Sequence, residues 1–454
     1  MKNSLIQKYN VPGPRYTSYP TVPYWDESNF HYDKWVDSLQ KSFSESNASE
    51  GISLYIHLPF CESMCTFCGC HKRITKHHSL EVPYITAVLK KRRLNCQILG
   101  EKPIVKEVHL GGGTPTFFSV KNLEDLINGI FKNATKHPVC DMSFEGHPNN
   151  TTREHLQKLY NLGFRRVSFG VQDYSPKVQK AIHRIQPFQN VAKVTFQARE
   201  IGYTSISHDI IFGLPFQEVL DVVDTIEKTK SLLPDRLAFY SYAHVPWIKG
   251  NGQRGFKDEN LPQDDQKRML YEIGKSLLHK NGYHEIGMDH FALKKDSMYT
   301  AYQDGNLHRN FMGYSASKTQ LMIGLGVSSI GDSWYGFAQN IKDLEDYYQL
   351  LEWDKLPVFK GHILTEEDLI IRKHILNLMC KFETSWKDRS VYFDELPEVL
   401  IQLTEMEQDG LISISKDSIQ VTEAGIPFVR NICMAFDLRL KRKAPDRQLF
   451  SLTV

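Results

Sequence analysis

Four cysteines, Cys61, Cys65, Cys68 and Cys70, lie within ten residues of one another in the segment CESMCTFCGC. The other four cysteines of the 454-residue chain are scattered. Scattered cysteines do not form the framework of a secreted disulfide-bonded protein, and clustered thiols in a reducing compartment more often bind metal or do redox chemistry. The segment, called the cysteine loop below, therefore predicts a metal or iron–sulfur centre.

The spacing of Cys61, Cys65 and Cys68 suits three corners of a [4Fe–4S] cluster, which cysteine thiolates hold. With three ligands from this loop, one iron stays open to a ligand that is not protein. A structural zinc ion usually takes four ligands as two separated pairs, and the histidines within 71–78 follow too closely to form a second pair. We favour the cluster over zinc, and zinc over plain buried thiols.

A second candidate for binding is the glycine-rich segment GGGTP at 111–115. Glycines without a Cβ let the backbone approach a ligand closely and allow a strand to turn toward a helix. A tight turn with no ligand explains the glycines equally well, so this segment supports a binding site only together with the cysteine loop.

The elements that must position these segments are short apolar strands that alternate with helix-like stretches from residue 52 onwards. Continuous apolar strands followed by helices predict a parallel sheet covered by helices. In such β/α arrangements chemistry lies at the carboxyl ends of the strands, where the cysteine loop and GGGTP also fall. The predicted strands are Ile52–Leu58, Val105–Gly111, Met142–Glu145, Arg166–Val171, Ser205–Ile211 and Leu237–Tyr242.

Composition excludes several classes of protein. A hydrophobic content of 41% is ordinary for a globular chain, and a net charge of +2 gives no global argument for a nucleic acid or an anionic membrane as partner. The first twenty residues lack the apolar core of a signal peptide, and no run of about 18 apolar residues occurs. We therefore expect a cytoplasmic protein without membrane insertion.

The length suggests about three domains. We predict an N-terminal arm or cap over 1–50, a catalytic barrel with an extension over 51–360, and a mostly helical domain over 361–454. The arm is expected to be ordered and extended, the extension to carry helices near 262–281 and 340–352, and the tail to run helix–helix–hairpin–helix, a winged-helix-like pattern. A metal-bearing regulator that binds DNA through this tail is a different-class alternative. The low net charge and the barrel motifs disfavour it, and we expect a packing module and no nucleic acid partner.

The CxxxCxxC spacing directly after the strand ISLYIHLPF is similar to the cluster motif of the radical S-adenosylmethionine (radical SAM) enzymes. Eight further blocks narrow the resemblance, which extends from about residue 6 to about residue 440. With them, the chain resembles the oxygen-independent coproporphyrinogen III oxidase family. The nine blocks are YNVPGPRYTSYPT, YIHLPFCESMCTFCGC, HLGGGTPTF, FGVQDYSPKVQKAIHRIQ, DIIFGLP, YSYAHVP, GMDHFA, LHRNF and RNICMAFD.

The resemblance implies a fold and a reaction. The fold is an α/β partial (β/α)6 barrel. The cofactors are a [4Fe–4S] cluster and S-adenosylmethionine, with two molecules of the latter side by side. The reaction converts two propionate side chains of coproporphyrinogen III into vinyl groups through a 5′-deoxyadenosyl radical and gives protoporphyrinogen IX. A reducing electron donor such as flavodoxin or ferredoxin and a monomeric state are expected. A radical SAM haem methyltransferase or a haem chaperone is the alternative within the superfamily.

The resemblance also assigns residues. Cys61, Cys65 and Cys68 would hold the cluster, whereas Cys70 falls too close to Cys68 to reach it and would instead have a catalytic role, as would Tyr55. A small buried residue beside the cluster is the plain alternative for Cys70. The expected contacts of S-adenosylmethionine are Tyr55, Phe67, Gly112, Gly113, Thr114, Glu145, Gln172, Arg184, Asp209, Ala243 and Ile330.

The four propionates of the substrate are ionised at neutral pH and need cationic partners. Arg15, Arg309, Arg254 and Lys249 come from motif-rich segments and are candidates, although a surface or structural role is the commoner fate of any one arginine or lysine.

Overall fold

The computed structural model describes residues 3–247, 252–253 and 255–453. Strands and helices alternate through its first half, as the apolar pattern predicts. The strands are β1 (Ile52–Leu58), β2 (Phe60–Cys61), β3 (Arg73–Ile74), β4 (Ile104–Gly112), β5 (Thr135–Gly146), β6 (Arg166–Gln172), β7 (Ser205–Phe212), β8 (Arg236–Ser241), β9 (His284–Gly287), β10 (His290–Ala292), β11 (His308–Asn310), β12 (Gly313–Ser315), β13 (Met322–Leu325), β14 (Ile330–Asp332), β15 (Gly336–Asn340), β16 (Val358–Ile363), β17 (Glu383–Ser385), β18 (Ile412–Ile414) and β19 (Ser418–Val421). The helices are α1 (Asn3–Tyr9), α2 (Tyr32–Ser46), α3 (Glu81–Leu99), α4 (Val120–Lys132), α5 (Arg153–Leu162), α6 (Pro176–Ala181), α7 (Phe188–Ile201), α8 (Val219–Leu232), α9 (Asp264–Lys280), α10 (Ser297–Gln303), α11 (Leu344–Glu352), α12 (Glu366–Lys381), α13 (Leu396–Gln408), α14 (Val429–Phe436) and α15 (Leu438–Arg442).

The centre of the fold is a run of six neighbouring parallel strands in the order β1-β4-β5-β6-β7-β8. Helices α3, α4, α5, α7 and α8 follow successive strands; the apolar faces of the first four bury the sheet in one large core, and that of α8 packs on β7 and β8 in a second cluster. This arrangement confirms the partial (β/α)6 barrel. The predicted strand bounds agree within one residue, except that β5 begins at Thr135, seven residues before the predicted Met142.

The sheet continues beyond both ends of this parallel run. Strand β13 pairs in parallel with β1, and β14, β15 and β16 follow as antiparallel strands, while β10 and β9 extend the sheet from β8. The two predicted helices of this extension are present as α9 and α11. The added strands were not predicted, because each has only three to six residues and therefore a weak local pattern.

The C-terminal segment has the predicted winged-helix-like order. Helices α12 and α13 precede the hairpin of β18 and β19, and β17 adds a third strand that the prediction lacked. The last helix starts later than predicted, because a 3-10 turn over Glu423–Phe428 precedes α14.

The N-terminal arm is ordered and contains two helices, α1 and α2, joined by an irregular segment. Tyr16 and Tyr19 of that segment are buried in the same hydrophobic cluster as the C-terminal helices. The guanidinium of Arg430 on α14 donates hydrogen bonds to the carbonyl oxygens of Gly13 and Pro14, which fixes the arm to the tail. The boundaries near residues 50 and 360 stay predictions.

No helix within the described residues is both long enough and apolar enough to span a membrane.

Candidate active site

The cysteine loop leaves the carboxyl end of β1 and is anchored by backbone hydrogen bonds. The Thr66 N–H donates to the carbonyl oxygen of Ile182 at 3.0 Å, and β2 pairs with β3 across the loop. Cys61, Cys65 and Cys68 line one cavity of about 350 Å³ at this end of the sheet. The spacing that predicted a shared centre therefore brings the three thiols to one cavity.

The surroundings of this cavity fit an anionic, thiolate-bound cluster and a ligand beside it. The Cys61 sulfur lies 3.3 Å from the hydroxyl of Thr114, and Nη1 of Arg184 donates to the Cys65 sulfur at 3.9 Å. The buried Nε of Arg184 has no hydrogen-bond partner among the described residues, so a donor is available toward a ligand. Lys72 adds a positive charge near the loop, with its Nζ 3.1 Å from the Cys68 carbonyl oxygen.

A single metal ion fits less well. Among the described residues, no group of three or more His, Cys, Asp or Glu side chains is arranged to hold one ion. A [4Fe–4S] cluster asks for a different arrangement, because each thiolate binds its own iron.

Cys70 lies beside the three thiols without lining their cavity. Its interaction with the Cys68 thiol lowers the pKa of Cys68 and raises the pKa of Cys70. The Cys70 side chain is accessible to solvent, and burial of the thiol and the charge of Glu145 add to the rise of its pKa. Cys70 is therefore placed between the cysteine loop and the barrel interior.

Aromatic and acidic side chains gather where β1, β4 and β5 end. The Tyr55 hydroxyl lies 3.1 Å from Nδ1 of His57, and the Tyr55 ring stacks on His109. Nε2 of His109 lies 3.4 Å from Oε1 of Glu145, and Oε2 of Glu145 accepts from the Gly112 N–H at 3.3 Å. Burial and the nearby Glu145 raise the pKa of Tyr55 well above its usual range, so its hydroxyl keeps its proton.

The glycines of GGGTP serve close packing of the protein itself. A Cβ on Gly113 would lie 2.5 Å from the Pro59 carbonyl oxygen, and one on Gly112 would lie 2.7 Å from the His57 ring. Gly112 also has φ +116°, a left-handed conformation that favours glycine. The two glycines thus let the ends of β1 and β4 touch, which brings Thr114 to the cavity beside the cysteines.

A second polar group lies next to Glu145, at the ends of the neighbouring strands β6 and β7. Nη2 of Arg184 donates to the Gly170 carbonyl oxygen at 2.7 Å, and Ser168 donates to the Asp209 carboxylate at 2.9 Å. Gln172 ends β6 in a left-handed conformation with φ 67°. Burial, reinforced by the charge of Glu145, raises the pKa of Asp209 to about 7 despite the hydrogen bond from Ser168.

Phe67 and Ala243 meet through a residue that the sequence analysis missed. The buried Gln253 donates to the carbonyl oxygens of both at 3.0 Å and accepts from the Val245 N–H. No sequence signal singles out Gln253, because it lies in a loop that is brought to the cysteine loop by the fold alone. His57 and His109 were also missed, although His57 stands two residues from Tyr55 and His109 three residues from Gly112.

Ile330 lies on β14, on the far side of β1 from the other predicted contacts. It sits opposite Gly324 of β13, and Gly324 pairs with Tyr55 of β1. The predicted contacts therefore surround the barrel opening from β14 to the end of β8.

The candidates for propionate binding fall into two groups. Arg15 contacts Asp289 at 3.3 Å and the Ser241 carbonyl oxygen at 3.1 Å, so its charge is already partly used. Arg309 is buried and donates to the carbonyl oxygens of Tyr16 and Arg15, while its Nη1 has no partner among the described residues. The other two predicted residues, Arg254 and Lys249, lie outside the described residues.

The match to a protein-family model shows the class of protein to which the chain belongs. The model of the Radical SAM superfamily matches residues 55–229, a range that contains the cysteine loop, GGGTP and the ends of β5, β6 and β7. A three-cysteine loop at the carboxyl end of a (β/α)6 sheet, within this match, defines a radical SAM enzyme. The [4Fe–4S] cluster and S-adenosylmethionine are the cofactors of that class.

Individual relatives identify the family within this class more specifically. Oxygen-independent coproporphyrinogen III oxidase of Helicobacter pylori strain 26695 is 39% identical, with 96% of each chain covered. The enzyme of the same name from Escherichia coli K12 is 36% identical, with 98% of this chain and 97% of the relative covered. The solved structure of Escherichia coli coproporphyrinogen III oxidase, described as a radical SAM enzyme, superposes with a TM-score of 0.89 at 33% identity over 96% of this chain and 98% of that one. The chain belongs to the oxygen-independent coproporphyrinogen III oxidase family.

Proposed function

We propose that this protein decarboxylates coproporphyrinogen III oxidatively without oxygen, turning two propionate side chains into vinyl groups and giving protoporphyrinogen IX. The observation that carries the proposal is the cavity in which Cys61, Cys65 and Cys68 meet Thr114 and Arg184, in a chain whose near-full-length relatives are oxidases of that name. The alternatives of a haem methyltransferase and a haem chaperone are not favoured by those relatives.

The three cysteines would hold the cluster, and the protein positions what binds beside it. When bound, the reduced cluster and S-adenosylmethionine supply the radical that removes a hydrogen atom from the β-carbon of a propionate. Arg184 is suited to bind a carboxylate of the cofactor, because its Nε is unpartnered while Nη2 fixes the guanidinium on Gly170. Thr114 and Lys72 add a hydroxyl and a positive charge close to the thiolates.

Two S-adenosylmethionine molecules are part of the proposal. One set of candidate contacts, Tyr55, Gly112 and Glu145, lies at the ends of β1, β4 and β5. A second set at the ends of β6 and β7 includes Gln172 and Asp209. The two sets adjoin, because Glu145 pairs with Ser168 across β5 and β6 and shares a cavity with Asp209, which supports two ligands lying side by side. Carboxylates suit ribose hydroxyls and an amino group. The remaining proposed contacts are Phe67, Gly113, Thr114, Arg184, Ala243 and Ile330.

Cys70 and Tyr55 are proposed to act on the substrate side. Both lie near Glu145, since its charge influences the pKa of each. A Tyr55 hydroxyl that keeps its proton can donate a hydrogen bond to the substrate. Arg309 and Arg15 are proposed to pair with propionates that leave the barrel, and the open Nη1 of Arg309 supports this.

The experiment is an anaerobic assay of reconstituted enzyme with a reductant, S-adenosylmethionine and coproporphyrinogen III. Formation of 5′-deoxyadenosine and stepwise loss of two carboxyl groups, both abolished in Cys65→Ser and retained in the control Cys140→Ser, support the proposal. If 5′-deoxyadenosine forms while the tetrapyrrole keeps its mass, the assigned substrate is wrong.

We further propose an oligomeric state, a location and an electron donor for the enzyme. The enzyme would act as a monomer in the cytoplasm, without membrane insertion or a nucleic acid partner, and would receive electrons from a reducing protein such as flavodoxin or ferredoxin.

A further inference from the structure

A large cavity lies apart from the cluster, between α12 and the segment that enters β11. Its volume is about 520 Å³, and it is lined by Gly305–His308, by one face of α12 and by the loop after β12. None of its lining residues belongs to the cavity of the cysteine loop. We call it the lysine cavity, after Lys318, Lys373 and Lys381.

The three lysines make the cavity positively charged. Lys373 and Lys381 lie on α12, while Lys318 approaches from the loop after β12. Over the chain as described, none of the three forms an ion pair within 4 Å. Asp388 also lines the cavity, where hydrogen bonds from Ser390 and the charge of Lys373 lower its pKa, so its carboxylate stays ionised and offsets one of the three lysine charges. The remaining excess of positive charge around the concavity attracts an anion.

The walls between the lysines are apolar. Leu307, Leu376 and Val391 line them together with the ring of Trp334. Trp334 has φ 61°, a left-handed conformation that glycine adopts without strain and a bulky residue rarely does. Arg372 holds it there, with Nη1 donating to the Trp334 carbonyl oxygen at 2.8 Å and the guanidinium 4.4 Å from the ring centre. A large flat ring thus occupies a strained position at the cavity.

We propose that the lysine cavity binds a polycarboxylate with an apolar ring body. The charge selects carboxylates, the apolar walls and Trp334 select a ring system, and the volume is in the range of organic-ligand sites. Tetrapyrroles with propionate side chains are such compounds. The further step that the enzyme's own substrate or product is the ligand rests on the proposed function.

The test is a binding titration of the cluster-loaded enzyme with coproporphyrin III, without reductant or S-adenosylmethionine. We expect wild type to bind two equivalents of coproporphyrin III. The variant Lys318→Met/Lys373→Met/Lys381→Met should bind one equivalent as before, and the second with an affinity at least tenfold lower. The matched control Lys34→Met/Lys193→Met/Lys416→Met changes three exposed lysines elsewhere and should bind as wild type does. A single equivalent in wild type, or equal binding by the cavity variant, overturns the proposal.

Location and ligand class are tested separately. Hydrogen exchange should slow in peptides of α12 and β11 when the second equivalent binds, and Trp334→Gly, which suits the left-handed backbone, should lose that protection. Protection confined to the cysteine loop contradicts the assignment. Inorganic pyrophosphate and benzene-1,3,5-tricarboxylate are then compared as competitors of coproporphyrin III. If pyrophosphate displaces it equally well, the site does not select a ligand with a ring body. The titration measures binding without turnover, so its result does not depend on the decarboxylation assay. Failure of the lysine-cavity proposal and failure of the proposed function can therefore be told apart.

Discussion

Individual side chains link the two halves of the site. Arg184 reaches from the end of the β6 unit to Cys65, and His109 bridges the stacked Tyr55 ring to Glu145. The cysteines could be predicted from the sequence because their spacing is local and their chemistry restrictive. His109 and Gln253 could not, because their importance comes from neighbours that the fold brings from other strands and loops.

Arg184→Lys should weaken S-adenosylmethionine binding while the cluster stays. An ammonium cannot keep the bond to the Gly170 carbonyl and also offer a planar pair of donors to a carboxylate. Loss of such charge-assisted hydrogen bonds predicts an apparent Kd about 10- to 100-fold higher. Equilibrium binding together with an iron and sulfide count measures both effects. Arg153→Lys, on an exposed pair with Glu200, is the control, and an unchanged Kd for Arg184→Lys would remove Arg184 from the site.

Asp209→Asn should raise stability at neutral and alkaline pH while it weakens cofactor binding. The pKa of Asp209 is raised from 3.8 to about 7, so the folded protein holds a proton that the unfolded chain has released between about pH 4 and pH 7. Wild-type stability therefore falls as pH rises through this window, and the loss is complete above pH 7. Asparagine removes this loss and keeps an acceptor for Ser168.

Urea unfolding of cluster-loaded protein without S-adenosylmethionine tests this sign. Asp209→Asn should be more stable than wild type by about 1–3 kcal/mol at pH 8, and the difference should shrink toward pH 5. The exposed Asp394→Asn should show no such trend. A difference of the same size at every pH would show that Asp209 does not titrate as assigned.

At the scale of elements, the ends of β1 and β4 must touch to build the cluster cavity. The strands themselves follow from apolar runs, so the sequence predicts their positions to within a residue, except for the first half of β5, whose residues 135–141 are largely polar or exposed. The extra strands β13 to β16 and β17 escaped prediction, because strands of three to six residues have weak local patterns, and β17 also takes its partner β19 from a distant segment. Room for a ligand was the predicted reason for the glycines of GGGTP. That reason was incomplete, because Gly113 packs so closely on Pro59 that a side chain would not fit there.

Gly113→Ala should therefore disrupt the cluster cavity. The new methyl group would lie 2.5 Å from the Pro59 carbonyl oxygen and 2.9 Å from that of Phe60, and neither backbone group can move without shifting the cysteine loop. We expect about 1–3 kcal/mol lost from the free energy of unfolding, with the iron content falling well below wild type.

The matched control is Gly100→Ala at the end of α3. It has φ +75° but no neighbour within 4 Å of the new Cβ, so it should cost about 1 kcal/mol and leave the iron content unchanged. Denaturant unfolding gives the free energy of unfolding of both variants, and iron analysis compares their cluster content with that of wild type. Full iron loading of Gly113→Ala would mean that the strand ends can separate without harm to the site.

At the scale of the whole molecule, the arm, the barrel extension and the tail share one hydrophobic cluster. The buried Arg430 joins the arm to the tail, since it donates to carbonyl oxygens of the arm at Gly13 and Pro14 and of the tail at Leu452. Composition predicts the arm to be ordered, but its partner could not be inferred, because Arg430 lies more than 400 residues away along the chain.

Arg430→Met should release the arm. Several buried carbonyl oxygens lose their donors at once, which costs about 3 kcal/mol or more. Limited proteolysis should cut between residues 10 and 31 at least tenfold faster, with decarboxylation reduced because Arg15 and Arg309 meet at this arm. Arg442→Met, which breaks a half-exposed pair with Glu367, should change cutting little. Equal cutting rates in both variants would contradict the role of Arg430.

The parallel pairing of β13 with β1 also has a consequence for biosynthesis. A ribosome releases β1 and the cysteine loop early, but the strand that covers the outer edge of β1 begins only at Met322. Until then the nascent chain exposes the edge of a strand beside the cysteine loop, a state open to wrong pairing. This edge is therefore covered only once the last third of the chain is made, and a cell that slows elongation there lengthens the time for which the edge is exposed.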